Sequence, residues 1–98
     1  MVTIKWDGAG MVLRFDLDRI TRREYWSMAS EKAVVEENSL PPLIREQSAT
    51  KLTDMLLDCC MDADHRPELR ARIHKLPWIQ WRELVDFFLQ GRRAPILI

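Results

Sequence analysis

The stretch Val2-Thr3-Ile4-Lys5-Trp6-Asp7-Gly8-Ala9-Gly10-Met11-Val12-Leu13-Arg14-Phe15-Asp16-Leu17 decides the fold. Val2, Ile4 and Trp6 alternate with Thr3 and Lys5, and Met11, Leu13, Phe15 and Leu17 alternate with Val12, Arg14 and Asp16. Both runs have the period of two that places apolar side chains on one face of a strand. Between them lies Asp7-Gly8-Ala9-Gly10, whose glycines permit the positive φ angles of a tight turn. Residues 2–17 therefore read as a β-hairpin with one apolar face. An isolated hairpin is marginal in water, so that face must be covered by helices from later in the chain or by a strand of a neighbouring subunit. The fold class is α+β rather than purely helical.

Downstream, the pattern changes to helical spacing. Thr21-Arg22-Arg23-Glu24 fits a capping box, with Ile20 and Tyr25 at the positions of a hydrophobic staple. The helix it opens, over 21–38, runs through Trp26, Met28, Ala29, Ala33 and Val35 until Leu40-Pro41-Pro42 stops it. A second helix is placed within 43–62, where Ala49, Leu52, Met55, Leu56, Cys59 and Cys60 share a face, with Pro42 or Ser48 as candidate start. Asp62-Ala63-Asp64-His65-Arg66-Pro67 is a polar break, and a short helix follows over 67–75. The expected architecture is thus an N-terminal hairpin followed by three to four packed helices, in one domain spanning 1–98, with 92–98 as a tail.

The last helix, over 77–90, lies within Leu76-Pro77-Trp78-Ile79-Gln80-Trp81-Arg82-Glu83-Leu84-Val85-Asp86-Phe87-Phe88-Leu89-Gln90-Gly91. Pro77 suits a first helical position and Gly91 the left-handed residue past a C-terminus. Trp78, Trp81, Leu84, Val85, Phe88 and Leu89 recur at three- and four-residue steps and form one apolar stripe, read mainly as the domain's own core. Ile79 and Phe87 fall outside it. A small domain buries one face of a helix, so apolar residues on a second face point to another surface to cover, on another chain. Ile79 and Phe87, the apolar end Ile96-Leu97-Ile98, and next to them Trp78 and Trp81 are the candidate partner-binding residues.

Composition narrows the function classes. Of the 98 residues, 47% are hydrophobic and 31% charged, with Lys+Arg and Asp+Glu equal at 15 each. That is the profile of a globular chain, not a disordered one. Zero net charge removes the broad attraction behind most non-specific nucleic-acid affinity, so no nucleic-acid partner is expected. No apolar run approaches the ~20 residues of a membrane helix, and the N-terminus lacks a secretory layout. No membrane association and a cytoplasmic location are expected. Cys59 and Cys60 are adjacent and should be reduced thiols, read as small buried apolar groups.

No catalytic constellation is legible: no Gly-rich phosphate loop, no nucleophile elbow, no paired His on one helix face. Cys59-Cys60-Met61-Asp62-Ala63-Asp64-His65 lacks the paired spacing of a zinc site, and Asp62 with Asp64 falls short of an oxygen cage for a hard cation. His65 and His74 are ordinary surface histidines. Arg19, Arg22 and Arg23 cluster at a helix start, the unfavourable end for cations, with Glu24 as nearest compensation. The chain is read as a non-enzymatic protein with no cofactor and no metal.

The segment Phe15-Asp16-Leu17-Asp18-Arg19-Ile20-Thr21-Arg22-Arg23-Glu24-Tyr25-Trp26, followed by Leu76-Pro77-Trp78-Ile79-Gln80-Trp81-Arg82-Glu83-Leu84-Val85, resembles small tail assembly chaperones of long-tailed phages and prophages. In that family a strand-like start leads through a "Leu, then Thr, then Arg-Glu" segment into a helix, and the domain closes on a "Leu-Pro, aromatic, two residues, Leu-Val" helix. The resemblance spans most of the chain. It implies a cytoplasmic viral protein that binds the long, helix-rich tape measure protein and keeps it soluble until tail tube subunits polymerise around it. Helix-in-groove packing with modest, repeated interfaces fits that task. The alternative class is a small inhibitor or immunity-type protein that blocks one enzyme or effector. A helix-turn-helix regulator ranks last, because the aromatic helix offers only Arg82 on its polar side. Self-association through surplus apolar surface is a further expectation.

Overall fold

The computed structural model describes residues 2–91. Its elements follow the order β1 (Thr3–Gly8), β2 (Met11–Asp16), a 3-10 turn (Leu17–Arg19), α1 (Arg22–Glu36), α2 (Pro42–Asp58), a second 3-10 turn (Asp62–Asp64), α3 (Glu68–His74) and α4 (Trp78–Gly91). The α+β class read from the alternation of residues 2–17 is the observed one. The tail 92–98, with Ile96, Leu97 and Ile98, lies outside the described residues.

β1 and β2 pair antiparallel, from Thr3 opposite Asp16 to Gly8 opposite Met11. Trp6, Met11, Leu13 and Phe15 are buried on one face, while Thr3, Lys5, Asp7, Val12 and Arg14 are exposed on the other. The turn differs from the expected one. Gly8 stays in the strand, and the two-residue loop is Ala9-Gly10, with φ of 52° and 72°. Positive φ at both loop residues is the signature of the type I′ turn, whose twist matches a hairpin.

The capping box at α1 is present: Glu24 N–H donates to Thr21 Oγ1 at 3.1 Å and Thr21 N–H to Glu24 Oε1 at 3.2 Å. α1 ends at Glu36, two residues before the expected boundary, and Ser39 N–H and Oγ–H both donate to Glu37 Oε1 in the connection that follows. α1 packs along α2, burying Met28 and Val35. Pro42 is the first residue of α2, where its missing N–H has no helical role to lose.

α2 is the central helix, touching α1, α3 and α4. It ends at Asp58 instead of 62, because the strand edge recruits the chain that follows. Asp16 N–H donates to Cys59 O and Met61 N–H to Arg14 O, each at 2.8 Å, and Cys60 bridges Phe15. Cys59 and Cys60 are buried free thiols in this sealing segment, outside the helix that their spacing assigned them to. Two ion pairs lock the same junction. Arg14 Nη2 meets Asp62 Oδ1 at 2.9 Å and Arg19 Nη2 meets Asp64 Oδ2 at 2.7 Å.

α4 lies across the inner face of the hairpin, and Phe88 meets Phe15 edge to face, with ring centroids 5.2 Å apart. Its stripe residues Trp81, Leu84, Val85, Phe88 and Leu89 are core. Pro77 is one step outside the expected first helical position: its carbonyl accepts the N–H of Trp81 at 2.9 Å, which is the bond of a cap. At the other end the helix includes Gly91 rather than stopping before it.

Candidate functional site

Trp78 is the first residue of α4, and it is not core. Its spacing puts it in the apolar stripe, yet it is 52% exposed, and Ile79 beside it is 68% exposed. The physical reason is position: the stripe is buried where the hairpin and α2 cover it, and Trp78 in the first turn of α4 lies beside the N-terminal half of α2. There the Trp78 indole stacks on Trp81, with centroids 5.5 Å apart and planes at 23°. Trp81, only 9% exposed, is anchored in turn. Its Nε1–H donates to Thr53 Oγ1 at 2.8 Å, and the Thr53 hydroxyl donates to Ala49 O at 2.7 Å. A rigid indole therefore carries a surface indole.

Trp78 lines two clefts along α2. One, of about 240 Å³, is lined by Ala49, Thr50, Thr53, His74, Leu76 and Trp81, and the other, of about 260 Å³, by Val35, Pro42, Arg45 and Ala49. Glu46, Ala49 and Trp78 line both. Leu43 and Ile44, in the opening turn of α2, line neither cleft but are exposed large apolar residues like Trp78 and Ile79.

The charges around the clefts are mostly committed. Arg45 Nε–H donates to Val35 O at 2.8 Å and its Nη2–H to Asn38 Oδ1 at 3.3 Å. His74 Nε2 lies 2.8 Å from Asp54 Oδ1. Glu46 has no ion pair or hydrogen bond through its side chain among the described residues. The arrangement thus offers stacking and apolar surface beside one uncommitted carboxylate, a chemistry suited to an apolar side chain flanked by a cation.

The other sequence candidates divide. Phe87, expected on a second face with Ile79, is half-buried and packs against the core cluster, so the two residues do not form one surface. Trp81 is buried and lines only the first of the two clefts. Ile96, Leu97 and Ile98 fall among the residues not described. Pro42, Leu43, Ile44, Glu46 and Ala49 were not singled out for binding by sequence; the run Pro42-Leu43-Ile44, two aliphatic residues after a helix-starting proline, was the available signal.

Asp62 and Asp64 are held below the usual carboxylate range, chiefly by the hydrogen bonds from Arg14 and Arg19 respectively. Burial pushes the Cys60 thiol up. Among the described residues no group of three or more His, Cys, Asp or Glu is placed to hold a metal ion, and no helix is long and apolar enough to cross a membrane. Compared with protein-family models, curated proteins and solved structures, the chain matches none.

Proposed function

We propose that this protein is a non-enzymatic binding module that covers apolar positions on an extended helical partner, in the manner of the phage tail assembly chaperones it resembles. The observation that carries this reading is the surface-exposed pair Trp78 and Ile79 at the start of α4, next to the opening of α2. An amphipathic helix laid along α2 would place an apolar side chain in either cleft and stack another on Trp78, which is helix-in-groove recognition. The partner of this proposal is the long tape measure protein, and the compartment is the host cytoplasm. Such an interface would be modest in area, consistent with release when tail tube subunits take over the partner.

Photo-crosslinking from position 79 in cells that express the protein, followed by identification of the captured chain, tests the proposal. The expected capture is a very long helical protein, and the adduct should be lost when Trp78 is replaced by Asp. Capture of an enzyme or effector at the same position would replace this reading with that of an inhibitor.

A further inference from the structure

The fold treats the two edges of its hairpin differently. Gly8 and Met11 close the turn, and Leu17 N–H donates to Val2 O at 2.8 Å in the same register. Even-numbered residues of β1 therefore direct their backbone groups toward β2, and Thr3, Lys5 and Asp7 direct theirs outward. On β2 the outward residues are Val12, Arg14 and Asp16, and this edge is sealed along Arg14 and Asp16, with Val12 beside the turn left open among the described residues. Asp16 N–H is taken by Cys59 O and Arg14 O by Met61 N–H, both at 2.8 Å, and Arg14 N–H by Asp62 Oδ2 at 2.7 Å. Among the described residues nothing takes the outward groups of Lys5 and Asp7. One edge is closed along Arg14 and Asp16, and the other is an open template at Lys5 and Asp7.

The side chains along the open edge select what it fits. Lys5 and Asp7 are exposed, and neither makes an ion pair or side-chain hydrogen bond among the described residues. Lys5 stands opposite Arg14 across the ladder, and the Arg14 guanidinium is committed to Asp62. A second β1 laid antiparallel along this edge can bring outward residues together in few ways. Lys5 opposite Lys5, or Asp7 opposite Asp7, sets like charges face to face. Sliding toward Thr3 shortens the overlap and pairs no charges. The register centred on Trp6 places each Lys5 opposite the Asp7 of the other copy, twice by symmetry, with four backbone hydrogen bonds from the outward groups.

We infer that the free edge of β1 is a self-association surface for a second copy of this chain, paired antiparallel about Trp6 into a four-stranded sheet. The contact is isologous and closes as a dimer, so it does not propagate. It also extends a two-stranded sheet past the size at which sheets are marginal.

The experiment is sedimentation equilibrium of the full chain over a range of concentrations, with circular dichroism to confirm that each variant is folded. The wild type should dimerise. Lys5→Glu and Asp7→Lys alone should each weaken the dimer about tenfold, because each sets two like-charge pairs across the new ladder, and the double reversal should return it to within about threefold of wild type. Lys51→Glu, an exposed charge reversal on α2 away from the hairpin, should leave it unchanged. Amide exchange supplies a second readout: the Lys5 and Asp7 amides should gain protection with concentration, while those of Ile4 and Trp6 are protected throughout. A wild type that stays monomeric up to about 1 mM, a dimer indifferent to either single reversal, or a double reversal no better than the singles would overturn the inference.

Discussion

The indole of Trp6 lies directly over Gly8: a Cβ built on Gly8 would stand 2.6 Å from Trp6 Cζ2. The two residues share a strand face, two positions apart, and Trp6 is buried there. Gly8→Ala should therefore push the indole out of its place and destabilise the protein by about 1–3 kcal/mol, the usual range for overpacking. Urea unfolding followed by tryptophan fluorescence measures this. An unchanged midpoint would show that the ring shifts freely.

Ala9 holds a φ of 52° in the turn, a region that residues other than Gly, Asn and Asp seldom enter. Ala9→Gly should stabilise by about 0.5–1 kcal/mol, the relief of left-handed strain less the added chain entropy of glycine. The check is a rise in Tm; a fall would mean that the entropy term wins.

Ile79 and Phe87, alike in sequence, should respond differently. Ile79→Asp changes an exposed side chain and should leave stability within about 0.5 kcal/mol of wild type while reducing capture of the proposed partner. Phe87→Asp inserts a charge beside the core cluster and should destabilise the fold by about 2 kcal/mol or more. Chemical denaturation of both variants, alongside the crosslinking yield from an unchanged position of α2, separates the two effects.

Thr53 accepts the indole proton of Trp81 in a buried bond of 2.8 Å. Thr53→Val keeps the volume and removes the acceptor, so it should cost about 1–2 kcal/mol. In a Trp81→Phe background, where there is no indole N–H to orphan, the same change should cost much less. A double-mutant cycle reads the difference, and additive effects would mean that the bond contributes nothing.

Asp62 and Asp64 have folded-state pKa values below their ordinary ones because Arg14 and Arg19 donate to them. A depressed carboxylate pKa stabilises the fold fully above the unfolded value, near ~4, and this stability is lost as pH falls through the lower folded value. Wild type should therefore lose stability below about pH 4, and Asp62→Asn, less stable at neutral pH, should approach wild type as the acid range is entered. Urea midpoints across pH 2.5 to 7 test this; a constant gap between the two proteins would exclude the pair as the cause.

What could be read in advance was whatever neighbours in sequence decide. The hairpin announced itself because Ile4, Trp6, Met11, Leu13 and Phe15 alternate, and the start of α1 because Thr21 and Glu24 satisfy each other locally. The end of α2 was not legible, since Cys59 and Cys60 continue its apolar spacing and only the distant edge of β2 draws them out of it. The pairing of Arg14 with Asp62, 48 residues apart, had no local trace, so the two aspartates looked like loop charges. Trp78 and Trp81 carry the same periodic signal, and periodicity does not say where the covering element stops. For that reason the clefts along α2 came from the structure and the aromatic helix from the sequence.

The contact between Phe15 and Phe88 joins the second strand to the last helix. During synthesis β2 is made well before α4, so Phe15 waits without its aromatic partner until Phe88 has left the ribosome. Loop closure on that scale must precede the contacts that reward it. A chain truncated before α4 would leave the part of the apolar strand face that α4 covers exposed to any other chain nearby.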